Sequence, residues 1–160
     1  MCPADVVDQD VDAAEPFHSG LFATDSAAYH ARQGLDAVAL FAEAAVRTGN
    51  VTEGRAVLAE LERLACITPA PLLSAQLPYA RAVLADDADA GPLYTSALAT
   101  DLSRWPWVAA RLALAHGSWL RRTGHTEKAA TALRKARTLL ADLGAVMWTA
   151  RADAELAVLS

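Results

Sequence analysis

Along most of this chain apolar residues recur at spacings of three and four, the period of one helical face, and short glycine- or aspartate-bearing breaks interrupt them. The pattern is clearest in the last third. Trp105, Val108, Leu112, Ala115 and Trp119 share one face, and Gly124 ends that helix. Thr126-Glu127 opens the next, whose stripe is Ala129, Leu133, Ala136, Leu140 and Leu143, and Gly144 closes it. A last helix carries Trp148, Ala152, Leu156 and Leu159. Upstream, Asp25 or Ser26 caps a first short helix that Gly34 interrupts. A stronger helix over about 36–47 stops at Gly49-Asn50, residues suited to the left-handed closure of a helix. Thr52 caps a helix running to about Ala65, and Thr68-Pro69 opens one running to about Ala85. Asp86-Asp87 breaks it, Asp89 caps its successor, and Gly91-Pro92 falls in that first turn, where a missing N–H costs little. Helices joined by so few residues lie antiparallel to one another.

The chain also resembles itself. Arg47-Thr48-Gly49-Asn50 returns as Arg122-Thr123-Gly124-His125, 75 positions later. Aligned on that turn, Ala42 matches Gly117, Gly54 matches Ala129, Leu58 matches Leu133 and Leu61 matches Ala136. Small residues at such offsets let two antiparallel helices approach, and larger ones fill between them. The set Gly117, Leu120, Ala129, Leu133 and Ala136 resembles the tetratricopeptide (TPR) pattern, and Ala82, Ala90, Tyr94 and Ala97 fit it with a shortened turn. The motif's first-helix tryptophan is missing at its usual offset. The expectation is an all-α, TPR-like fold: antiparallel helix-pair repeats in a short solenoid of about seven helices, with three degenerate repeats and a final capping helix. Residues 26–160 form this domain, and residues 1–25 a flexible acidic segment.

Charge narrows the partners. The net charge is −5, and residues 1–25 hold Asp5, Asp8, Asp10, Asp12, Glu15 and Asp25 without one Lys or Arg. The remaining thirteen acids and fourteen bases nearly cancel, so the domain lacks the basic footprint of a nucleic-acid binder. No apolar stretch approaches the ~20 residues needed to cross a bilayer, and the N-terminus lacks the basic and apolar regions of a signal peptide. These features point to a cytoplasmic protein with no membrane partner. Cys2 and Cys66 are too few for a disulfide framework or a thiolate zinc site. Cys66 reads as a small hydrophobe near a helix end, and free thiols fit a reducing compartment.

Candidate chemistry is sparse. There is no phosphate-binding GxxxxGK[ST] or GxGxxG, no GxSxG elbow and no HExxH. His18, His30, His116 and His125 are scattered, and Asp86, Asp87 and Asp89 lack calcium-loop spacing. Neither a catalytic residue nor a cofactor or metal site is expected. Of Trp105, Trp107, Trp119 and Trp148, the first and third share the buried seam, and Trp107 lies off it as the one suited to binding. Arg104, Arg111, Arg121, Arg122, Lys128, Arg134, Lys135, Arg137 and Arg151 make this third basic. They read either as solvated helix faces or as contacts to phosphate on a neighbouring domain. The partner-binding surface expected from these features comprises Trp107, Arg111, Arg121 and Arg122.

The segments Arg104-Trp105-Pro106-Trp107 through Ala109-Arg111-Leu112, and Gly117-Ser118-Trp119-Leu120-Arg121-Arg122, are distinctive. So are Leu143-Gly144-Ala145 with Trp148, Ala150-Arg151-Ala152 and Glu155-Leu156, and Glu43-Ala44-Ala45-Val46-Arg47 further up. Together, over about residues 30–158, they resemble the region preceding the DNA-binding module in large actinobacterial LuxR-family regulators. Those proteins are similar in architecture to the maltose regulator: an ATPase, a long TPR-like helical region, then a helix-turn-helix. The resemblance implies a regulatory or sensor segment, working through other domains of the same regulator or a protein partner. DNA would be contacted by a helix-turn-helix outside these residues. A free-standing TPR-type adaptor that binds a peptide or protein is the other reading, an enzyme is a distant third, and homodimerisation through a flat face or an end stays open.

Overall fold

The computed structural model describes residues 37–68 and 70–159. They form seven helices and, among the described residues, no strand: α1 (Val38–Thr48), α2 (Val51–Ile67), α3 (Pro71–Leu84), α4 (Asp87–Leu98), α5 (Pro106–Arg122), α6 (Thr126–Asp142) and α7 (Val146–Ala157). None is long and apolar enough to cross a membrane. The acidic segment 1–25, the short helix expected after Asp25, His18, His30, Cys2 and Pro69 lie outside the described residues.

Three of the turns share one device. Gly49, Gly124 and Gly144 have φ of 77°, 82° and 67°. The next residue's N–H reaches five positions back, Asn50 to Ala45, His125 to Leu120 and Ala145 to Leu140. The glycine's own N–H bonds Val46, Arg121 or Ala141. This closure satisfies the last carbonyls of the helix with the backbone alone. It reverses the chain within a few residues, which makes consecutive helices antiparallel. Gly124→Ala puts a Cβ into the left-handed region and is expected to cost about 1–2 kcal/mol. A urea melt measures this, and Gly124→Asn should retain more of the stability.

Other helix starts differ from expectation. Among the described residues no N-cap side chain bonds its own helix: α2 is entered from Asn50 and α4 from Asp86. Thr52 and Asp89 therefore sit inside their first turns instead of capping them. The proline that opens α3 is Pro71. Because α4 begins at Asp87, Pro92 is its sixth residue and lies inside the helix. Its missing N–H frees the carbonyl of Ala88, and both residues are exposed, so water takes the lost bond. Cys66 is exposed near the end of α2, not packed as a small hydrophobe. There is no free cysteine among the described residues, so the free-thiol argument for a reducing compartment falls.

The core runs along the stack in three connected parts. The first packs α1, α2 and α3 through Ala42, Leu58, Leu73 and Leu84. The second joins α3, α4 and α5 through Tyr79, Tyr94, Ala97 and Leu112. The third joins α5, α6 and α7 through Ala110, Leu133, Leu140 and Ala152. Helices α3 and α5 each contribute to two parts, as expected where repeats bury their apolar faces only against neighbours. The small residues of the repeat lie where the helices come closest. A Cβ at Gly54 would stand 2.9 Å from the Ala45 Cβ and from Leu84 Cδ2, and one at Gly117 2.6 Å from Leu133 Cγ. Ala42, Ala129, Leu133 and Ala136 are fully buried.

Candidate interaction site

The first helices of the successive pairs, α1, α3 and α5, and the terminal α7 each send one or more residues to a common point. Glu43 comes from α1, Tyr79 from α3, Arg111 from α5, and Trp148 and Arg151 from α7. Arg111 Nη2 donates to Glu43 Oε1 at 2.6 Å, and the Tyr79 hydroxyl donates to the same oxygen. Arg151 Nη1 stands 3.6 Å from the other oxygen. The Arg111 guanidinium lies 4.6 Å from the Trp148 ring centroid, 5.9 Å from Trp107 and 6.0 Å from Tyr79. Trp107 meets Trp148 edge to face. A buried charge must be paired; Arg111, 2% exposed, has one carboxylate and three aromatic neighbours, whose ring faces attract cations.

This cluster sets the ionisation of its tyrosine. Burial pushes the Tyr79 hydroxyl well above its ordinary value, and the charge of Glu43 adds to the shift. Burial also raises Tyr94. In the unfolded chain both ionise near 10.0, and in the fold they hold their protons higher. Their stabilisation is therefore complete below about pH 10 and is lost as the pH rises through the folded values. A series of denaturation midpoints taken upward from neutral pH should fall beyond that point, and less steeply in Tyr94→Phe.

Beside the cluster, between α1, α3 and the start of α5, is a cleft of about 390 Å³. Leu40, Leu72, Trp105 and Trp107 supply its apolar surface, and Gln76 lies within. The Gln76 side-chain oxygen accepts the Ala39 N–H at 3.2 Å, which satisfies an N-terminal donor of α1 from a neighbouring helix. Arg104, at the mouth, is exposed and makes no ion pair among the described residues. Trp107 is 40% exposed. Such a cleft can take an apolar side chain against an indole with an acidic group near Arg104. It brings together no nucleophile and base, and no group of three or more His, Cys, Asp or Glu among the described residues could hold a metal ion.

The four residues expected to form one partner surface do not do so. Trp107 and Arg111 both line the cleft, but Arg111 is buried and its charge is turned to Glu43, so that it ties α5 to α1. Arg121 Nε donates to Glu155 on α7 at 2.6 Å, and Ser118 shares that carboxylate. Arg122 turns the other way, to Asp87 on α4, with Nη2–Oδ1 at 2.6 Å. Its guanidinium holds the Asp87 carboxyl below the usual range. With Arg137 on Asp153 and Arg151 beside Glu43, most of the C-terminal arginines are spent on helix-to-helix ties. Glu43 and Tyr79 were the residues the sequence reading missed. The available signal was position: Glu43 falls four after Ala39, Tyr79 four after Ala75, and Arg111 three after Val108, all on inward stripes.

No family model, no curated protein and no solved structure matches this chain.

Proposed function

We propose that this chain is a regulatory helical-repeat segment of a LuxR-family transcriptional regulator, making protein–protein or effector contacts rather than performing catalysis. One observation carries the reading. The segments resembling that family are far apart in sequence, yet they supply the residues that converge around Arg111: Glu43, Trp107, Arg111, Trp148 and Arg151. Tyr79, from outside those segments, completes the cluster.

In this reading the domain acts in the cytoplasm, and its partners are other domains of the same regulator. DNA is engaged by a helix-turn-helix elsewhere in the polypeptide, and the 160-residue chain shifts no duplex DNA by itself. Sequencing through both sides of the reading frame in the source genome tests this. An upstream P-loop and a downstream helix-turn-helix are expected; a frame with neither overturns it. The half-exposed Trp107 over its cleft favours a second reading, a free-standing adaptor that takes a peptide or protein partner, and a frame with neither module would bring it forward.

A further inference from the structure

A larger cleft, of about 700 Å³, lies on another part of the molecule, between α4 and α6 with α5 as its floor. Its three sides are of similar length. Gly91 to Leu98 on α4 and Ala113 to Leu120 on α5 each span seven positions and Glu127 to Lys135 on α6 spans eight, two helical turns or about 10–12 Å. Apolar surface comes from Leu98 on the α4 wall and from Ala113 and Leu120 on the floor. Trp119 lies there too, stacked between His116 and His125, and its indole N–H is buried without an acceptor.

The charge on this groove comes from one wall. Lys128 and Lys135 lie on the same face of α6 and make no ion pair among the described residues, in a chain whose arginines mostly have carboxylates. Glu127 lies next to Lys128 at one end and offsets it. Burial lowers the His116 pKa and so favours the neutral imidazole. Lys135 is therefore the uncompensated charge at the other end.

We propose that this groove is a docking site for an acidic amphipathic helix of a protein partner, two turns of which lie along α4 and α6. Its apolar residues, at helical spacing, rest on Leu98, Ala113 and Leu120, and a carboxylate one end further on meets Lys135. Helix-in-groove recognition needs such a set of anchors on one face, and the charge at one end fixes the direction in which the helix lies. This surface is separate from the Trp107 cleft, so it stands or falls independently of the function proposed above.

A displayed library of amphipathic helices of about twelve residues (three turns), with leucine fixed on one face and every other position random, is the probe. It is selected on the full chain. Selected helices are expected to be rich in Asp and Glu at one end. Lys135→Glu should weaken them about tenfold by fluorescence anisotropy. Thr131→Trp, an exposed position that fills the groove, should abolish binding, and Trp107→Ala should leave it unchanged. Circular dichroism checks that each variant is folded. The proposal is overturned if no helix is selected, if the selected helices show no acidic bias, or if they are indifferent to Thr131→Trp. Displacement of the helices by inorganic phosphate at equal concentration would also overturn it, and would make the groove a small-anion site.

Discussion

Arg111→Ala is expected to lower the stability of the fold by about 3–5 kcal/mol, the cost of breaking a buried ion pair from one side. The substitution removes the 2.6 Å partner of Glu43 and leaves a carboxylate that is 12% exposed with the Tyr79 hydroxyl and a more distant Arg151. It also empties the space over Trp148. The magnitude belongs to the unpaired charge and not to the pair, so a second variant separates the two. Replacing both partners, as Glu43→Gln with Arg111→Met, leaves no buried charge and should cost less than Arg111→Ala alone. Urea unfolding of Glu43→Gln, Arg111→Met and the double variant gives the coupling directly. A loss below about 1 kcal/mol for Arg111→Ala would mean that the guanidinium is hydrated and does not tie α5 to α1.

Leu133→Ala is the second large effect. Leu133 is fully buried between α5 and α6, and truncation of such a residue costs about 2–5 kcal/mol. Its neighbour makes the prediction sharper. Gly117→Ala alone should destabilise although alanine is the better helix former by about 1 kcal/mol, because the new Cβ would stand 2.6 Å from Leu133 Cγ and 3.2 Å from its backbone nitrogen. With Leu133 cut back to alanine the first of these contacts disappears. Gly117→Ala should then cost much less, or stabilise. Thermal melts of the four proteins test the sign change, and simple additivity would show that the two helices approach elsewhere.

These two predictions also mark the boundary of what the sequence made legible. The Gly117, Ala129 and Leu133 contact was readable because it repeats: the same offsets from a glycine turn occur twice, and the turn is a local event governed by one left-handed residue. Gly49, Gly124 and Gly144 close their helices for the same reason. The start of α4 was misplaced because Asp86, Asp87 and Asp89 all suit a helix beginning. The choice among them is made by packing of Ala90 and Tyr94 against the neighbouring helices, not by a cap. The Glu43–Arg111 pair was missed because its members are 68 positions apart, and nothing local specifies which acid an inward arginine will meet. The separation of Arg121 from Arg122 was equally hidden. Adjacent residues on a helix point about 100° apart, and here that sends one to α7 and the other to α4.

The basic character of the last third consequently changes meaning. Read along the chain it suggested a surface for phosphate. In the fold, Arg111, Arg121, Arg122, Arg137 and Arg151 each face a carboxylate on another helix. What remains for a partner is the Trp107 cleft with Arg104, and, separately, the α4–α6 groove with its lysines.

The Trp107 cleft, formed where the start of α5 meets α1 and α3, is proposed as a contact surface. Photo-crosslinking in the source cells tests it most directly. A photoreactive phenylalanine derivative is placed at residue 107 and, as a control, at the exposed residue 56 of α2. A protein crosslink is expected at 107, to another domain of the same polypeptide or to a separate chain, and none of comparable yield at 56. Equal yields at the two positions, or a crosslink at 107 to DNA, would contradict it.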